Sequence, residues 1–251
     1  MSELKEKEEP SRSLGRTLIS LATYNELENM PIIVREIFEY APDVDILVVD
    51  DNSPDGTADW VLEHQRTEPR LKLLKRAGKL GLGTAILDAI EYAVKNDYEF
   101  LINMDADLSH PPKFIQALRQ KANEPPNGYD VVIGSRYIKG GGVEGWAMHR
   151  RWMSYAINLF AKLMLGLKTK DNSGSFRCYK LEKLKNFDRS LIISNGYSFM
   201  EEFLFRLKKQ GATITEVPII FVERRFGSSK INKKEAIDAI FILLKLGIRG
   251  R

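Results

Sequence analysis

Asp105 and Asp107 stand one residue apart at the end of an apolar run, Phe100 to Met104, within Ile-Asn-Met-Asp-Ala-Asp-Leu-Ser-His. Two carboxylates so placed are hard oxygen donors of the kind that hold Mg²⁺ or Mn²⁺ together with substrate phosphates. The spacing alone says little, because with Asp near 5% of residues chance supplies roughly one such pair in a chain of this length. A second copy, Asp43-Val44-Asp45, only opens a strand. Context separates the two: a buried strand feeds Asp105 and Asp107, and three other polar clusters also follow apolar runs. Thr23-Tyr24-Asn25-Glu26 offers backbone N–H groups, a ring and a carboxylate to a base and ribose, though Asn25 and Glu28 also outline a helix capping box. Asp50-Asp51-Asn52-Ser53 suits ribose hydroxyls or base edges, with turn composition in Ser53-Pro54-Asp55-Gly56. Ser135-Arg136-Tyr137 adds a cation.

The elements that must position these clusters alternate. Strands are expected at Leu18 to Ala22, Ile46 to Val49, Leu71 to Leu74, Phe100 to Met104 and Val131 to Gly134. Helices are expected near Glu28 to Tyr40, from Thr57, near Thr84 to Lys95 and after Pro111-Pro112. This is the pattern of an α/β fold with a mostly parallel sheet and helices on both faces. Ligands of such sheets sit beyond the carboxyl ends of the strands, so the four clusters converge on one edge. Gly78 to Thr84 is glycine-rich but matches neither the Walker nor the dinucleotide spacing, and reads as a loop needing close backbone approach. Arg224, Arg225 and Lys230 follow an apolar strand, Ile219 to Val222. They form either a solvated charge run or a loop able to fold over a diphosphate.

Two further stretches are amphipathic. Trp146 to Leu165 reads as one long helix with Trp152, Met153, Ile157, Phe160, Leu163 and Met164 on its apolar side, flanked by His149, Arg150, Arg151 and Lys162. A core helix and a helix lying in a membrane interface both fit that mixture. A last helix, Lys234 to Leu246, has the same character. The net charge of +4 favours anionic partners in general. A single cysteine, Cys178, excludes an internal disulfide and a cysteine zinc site, and suits a reducing cytosolic setting. Residues 1–16 read as a disordered tail without an apolar segment, and 17–251 as one domain with interfacial helices near 146–165 and 234–247. No continuous basic stripe points to nucleic acid.

Seven ordered motifs carry a resemblance over about Thr17 to Gly247: Leu-Ala-Thr-Tyr-Asn-Glu, Val-Val-Asp-Asp-Asn-Ser-Pro-Asp-Gly-Thr, Gly-Leu-Gly-Thr-Ala, Asn-Met-Asp-Ala-Asp-Leu-Ser-His-Pro-Pro, Gly-Ser-Arg-Tyr, Asp-Asn-Ser-Gly-Ser-Phe-Arg and Glu-Val-Pro-Ile. Together they resemble the dolichol-phosphate mannose synthase branch of glycosyltransferase family 2, enzymes of the GT-A fold. The resemblance implies that Thr23, Tyr24, Glu26 and Asp51 bind the guanosine nucleotide, and that Asp105, Ala106 and Asp107 form the metal and diphosphate motif. It further implies that Arg136 lies near the donor, that Arg150 and Ser154 hold an acceptor lipid's phosphate, and that Arg224 and Lys230 cover the diphosphate. The metal ligands expected are Asp105, Asp107 and Ser109, the last standing where some relatives carry a glutamine ligand and being a shorter and poorer donor. Asn172-Ser173 replaces a threonine-containing variant and keeps the hydroxyl. Many prokaryotic relatives carry C-terminal transmembrane helices that this sequence does not show. Membrane residence is therefore expected from interfacial helices or a small membrane subunit, on the cytoplasmic face.

The expected activity is inverting transfer of mannose from GDP-mannose to a polyprenyl (dolichyl) monophosphate with Mg²⁺ or Mn²⁺. The alternatives are a polyprenyl-phosphate glucosyltransferase using UDP-glucose and a catalytically silent nucleotide-sugar-binding subunit.

Overall fold

The computed structural model describes residues 14–194, 196, 198–224 and 233–249, and of 233–238 and 249 the backbone only. The expected tail falls largely outside the described residues, as do Arg225 and Lys230 and the side chains of Lys234 and Ile237.

A seven-stranded sheet runs in the order β3-β2-β1-β4-β7-β5-β8. Its strands are β1 (Thr17–Thr23), β2 (Asp45–Asp50), β3 (Leu71–Lys75), β4 (Phe100–Asp105), β5 (Val131–Ser135), β7 (Arg177–Lys180) and β8 (Ile214–Pro218). All neighbours are parallel except β7, which runs antiparallel between β4 and β5. A small parallel pair, β6 (Gly142–Glu144) with β9 (Ile220–Val222), stands apart.

Period-two alternation makes both faces of the sheet apolar, and both are covered. Ile19, Leu21, Ile46, Val48, Ile102 and Met104 pack against α1 (Met30–Tyr40), α2 (Thr57–His64) and α4 (Ile115–Ala122). On the other face Leu18, Leu47, Val49, Leu101, Val131 and Ile133 meet α3 (Leu82–Lys95), α5 (Met148–Leu165), α6 (Phe199–Lys209) and α7 (Lys233–Arg249). Pro31 fixes the first turn of α1. Gly166, left-handed at φ 60°, ends α5.

Two local expectations need correction. The capping box at Asn25 does not form, because α1 starts at Met30 and Asn25 sits at φ 62° in the preceding loop. Trp146 lies outside α5 and is buried beside Phe221, so it belongs to the core and not to an interfacial face. On α5, where core and interface were both open, the stripe divides: Met148, Trp152, Met153, Tyr155, Leu159 and Leu163 are exposed, while Phe160 and Met164 pack against the core and Asn158, Ala161 and Leu165 face inward. α5 packs against α7. Gly247 of α7 comes so near that an added Cβ would lie 2.7 Å from Met164 O.

Candidate active site

The carboxyl ends of β1, β2, β4 and β5 carry the four polar clusters, and neighbouring strands in register bring them together: Thr23 stands opposite Asp50, and Ala22 opposite Asp105. Each carboxylate of the acidic pair has one oxygen spent on a serine. Ser175 Oγ donates to Asp105 Oδ1 at 2.7 Å, and Ser109 donates to Asp107 Oδ1 from both its hydroxyl and its backbone N–H. These bonds fix the carboxylates' rotation and leave Oδ2 of each outside the serine contacts, that of Asp107 facing Arg224. Leu108, at φ 64°, makes the sharp turn that returns Ser109 to Asp107.

His110 is buried between Phe176 and Phe221, with ring centroids 5.1 and 5.2 Å away. Burial lowers its pKa, and the backbone N–H of Asp105 donates to its Nδ1 at 3.0 Å. The imidazole is therefore neutral with its proton on Nε2, and the 3.8 Å approach of Nδ1 to Asp105 Oδ2 is no ion pair. Its part is to fix the backbone of Asp105.

Arg136 is committed to an acid by two of its nitrogens. Its Nε and Nη2 meet Asp171 Oδ2 and Oδ1, each at 2.7 Å, in a buried fork. Burial alone would raise the Asp171 carboxyl, but the charge and hydrogen bonds of Arg136 outweigh it and hold the pKa below its ordinary value. The pair anchors the loop Asp171 to Ser175, which also delivers Ser175 to Asp105. Arg177, fully buried, closes that loop by donating to the carbonyls of Asn172, Gly174 and Met200.

At the β1 and β2 ends, Thr23 is buried and its hydroxyl donates to Asp50 Oδ1 at 2.9 Å. Glu26 accepts from Asn29 Nδ2 at 2.7 Å. Lys79 Nζ lies 4.8 Å over the Tyr24 ring. Asp51 is buried, with Arg76 Nε 3.1 Å from its Oδ1. Burial raises its pKa, against the opposing Arg76 charge and backbone hydrogen bonds from Gly81 and Leu80. The glycine-rich loop is thus tied to the acid after β2. The close approach expected there occurs at Gly83, where an added Cβ would lie 2.5 Å from the Phe199 ring, so a packing contact with α6 explains that glycine.

Arg150 and Ser154, one turn apart on α5, face a second group of partners. Arg150 Nη1 lies 2.7 and 2.8 Å from the two carboxylate oxygens of Glu223, and its guanidinium lies 4.1 Å over Trp146. Ser154 Oγ accepts from Tyr137 at 2.7 Å. Arg224 Nη2 stands 3.6 Å from Asp107 Oδ2, which brings the basic loop's first cation to the acidic pair. Ala106, between the two acids, is buried. Among the described residues no group of three or more His, Cys, Asp or Glu gathers to hold a metal. A pair of carboxylates completed by phosphate oxygens remains the available donor set, and it suits Mg²⁺ or Mn²⁺.

Residues 19–187 match the sequence profile of glycosyl transferase family 2. The chain belongs to that family. It is 38% identical to the polyprenol monophosphomannose synthase of Mycolicibacterium smegmatis, over 96% of this chain and 90% of the relative. It is 36% identical to the undecaprenyl-phosphate mannosyltransferase of Micrococcus luteus, over 94% and 96%. In fold it is similar to a mannosyltransferase from Pyrobaculum calidifontis solved with GDP-Man and Mn²⁺, with a TM-score of 0.61 at 18% identity, covering 94% of this chain and 64% of that one. It is also similar to glucosyl-3-phosphoglycerate synthase from Mycobacterium tuberculosis solved with Mn²⁺ and UDP-glucose, with a TM-score of 0.64 at 16% identity, covering 96% and 85%. The fold of this family 2 chain is of the GT-A type.

Sequence reasoning missed the parts of Ser175, Arg76, Asp171 and Glu223, and it placed Tyr137 in the cluster after β5 without its Ser154 partner. Ser175 and Asp171 sat inside a quoted motif, and a serine three strands away in sequence order carries no sign of its carboxylate partner. Arg76 follows Lys75 in what reads as an ordinary charged strand end.

Proposed function

We propose that this family 2 chain transfers mannose from GDP-mannose to a polyprenyl monophosphate, with inversion at the anomeric carbon. The observation that carries the reading is its near-full-length similarity to two curated relatives, both named for mannosyl transfer to a polyprenyl phosphate.

Thr23, Tyr24, Glu26 and Asp51 line the nucleoside end, where the Tyr24 ring offers a stacking face. Asp105 and Asp107 would hold the divalent ion, with Ser109 orienting Asp107. Such an ion neutralises charge on a diphosphate leaving group when bound. Arg224, and Lys230 beyond the described residues, would add positive charge there. The acceptor needs no general base, because a phosphate monoester with a second pKa near 6 is already an anionic nucleophile. The work of Arg150 and Ser154 is to aim its oxygen at the anomeric carbon. Arg136, through Asp171, holds the loop that supports both halves.

The exposed apolar stripe of α5, with Phe241 and Ile248 on α7, would seat the protein in a membrane interface beside the acceptor's headgroup. It would also serve a small membrane subunit as a docking face. Among the described residues no helix is long and apolar enough to cross a membrane. The assay that tests the reading offers labelled GDP-mannose or UDP-glucose to the purified protein with polyprenyl phosphate in vesicles. Mannolipid is the expected product; glucolipid alone, or no lipid product with either donor, would overturn it.

A further inference from the structure

Glu223 has no part in the roles above, yet it holds the guanidinium to which the acceptor phosphate is assigned. Both of its carboxylate oxygens lie within 2.8 Å of Arg150 Nη1. Its place is built into the chain. Glu223 N donates to Glu144 O, and Val222 N donates to Ser109 O, at 3.0 and 3.1 Å. The β6 strand pairs with β9 so that Glu144 stands opposite Val222. Gly145, at φ 82°, makes room: an added Cβ there would lie 2.6 Å from Glu223 Cβ. The pair is reached by solvent, with Arg150 and Glu223 side chains 26% and 38% exposed, so an incoming anion can compete for it.

A carboxylate and a phosphate satisfy arginine with the same charge-assisted hydrogen bonds. They differ in strength, because a phosphate monoester carries about −1.5 to −2 charge and three acceptor oxygens against the single charge of a carboxylate. We propose that Glu223 is a specificity-determining residue: its carboxylate occupies Arg150 until a phosphate monoester displaces it, so acceptors without that charge do not open the site. The inference rests on Arg150 being the acceptor-phosphate residue. The next residue, Arg224, faces Asp107, so residues 223 and 224 address the two halves of the site with opposite charges.

The test compares wild type with Glu223→Gln, which keeps the shape and removes the charge, and Glu223→Asp, which keeps the charge on a shorter stem. Inorganic phosphate titrated calorimetrically reads the competition without turnover. Glu223→Gln is expected to bind phosphate about fivefold tighter, the scale of one partly exposed ion pair. It should lower the KM for polyprenyl phosphate by a similar factor and leave the KM for GDP-mannose unmoved. Adding Arg150→Gln should abolish the gain, and Glu223→Asp should stay near wild type in phosphate affinity. Unchanged or weaker phosphate binding in Glu223→Gln, or a gain that survives Arg150→Gln, would overturn the proposal. Failure of the wild type to form any mannolipid would instead overturn the functional reading beneath it.

Discussion

Asn158 and Ser173 are joined twice: Ser173 N donates to Asn158 Oδ1 at 3.0 Å, and Asn158 Nδ2 donates to Ser173 Oγ at 2.9 Å. The same Oδ1 also accepts the backbone N–H of Asn172 at 2.6 Å. One buried amide on α5 thereby clamps the helix bearing Arg150 and Ser154 to the loop that delivers Ser175 to Asp105. The acceptor end and the metal end of the proposed site share this joint.

Removing it should act on both. Asn158→Ala leaves the buried backbone N–H of Asn172 and the partly buried one of Ser173 without their acceptor, at a cost of about 2–3 kcal/mol. The expected result is a lower melting temperature together with a raised KM for polyprenyl phosphate and a weaker response to Mn²⁺. Denaturation and steady-state kinetics check it; a variant as stable and active as wild type would show that the joint does not hold the two ends.

Glu201 predicts a pH signature. It is buried near the α6 start, and one carboxylate oxygen is without a hydrogen-bond partner. Burial raises its pKa from 4.5 to about 7, against the opposing charges of Arg177 and Arg136. An acid whose folded pKa lies above its unfolded value binds protons more tightly when folded, so between pH 4.5 and 7 stability falls as pH rises. Glu201→Gln should remove that slope and gain on the order of 3 kcal/mol at pH 8, with no gain near pH 4. Melting curves across this range check both the sign and the window.

Much of this architecture was legible in the sequence, and the failures have physical causes. The six expected strands all appear, because runs such as Ile46 to Val49 are apolar on both faces and bounded by polar turns. Of the later strands, β9 was expected at Ile219 to Val222, while β6, β7 and β8 were not: β7 carries Arg177 and Lys180, and its buried guanidinium is satisfied by carbonyls from Asn172, Gly174 and Met200 that no local pattern reveals. The α5 stripe could not be assigned to core or interface, since periodicity gives a face but not what covers it. The acids Asp105 and Asp107 were legible from the strand that feeds them, whereas their serine partners needed the fold. The commitment of Arg136 to Asp171 likewise lay beyond the spacing.

The α5 and α7 faces predict lipid binding. Trp152 and Phe241 are 67% and 66% exposed, so replacing both by Glu should move stability by no more than about 0.5 kcal/mol for each substitution. Their loss from an interface should weaken binding to anionic vesicles at least about tenfold, given roughly 1.5–3 kcal/mol for each large apolar side chain buried. Vesicle sedimentation measures this. Equal sedimentation of the double variant and wild type would contradict the interfacial placement.

The most direct measurement is transfer of labelled mannose from GDP-mannose to polyprenyl phosphate in vesicles, run with Mn²⁺, with a chelator, and with Asp107→Asn. Mannolipid is expected from wild type with Mn²⁺, with a loss on the order of a hundredfold or more under either other condition. Equal mannolipid from Asp107→Asn, or from wild type with the metal removed, would contradict it.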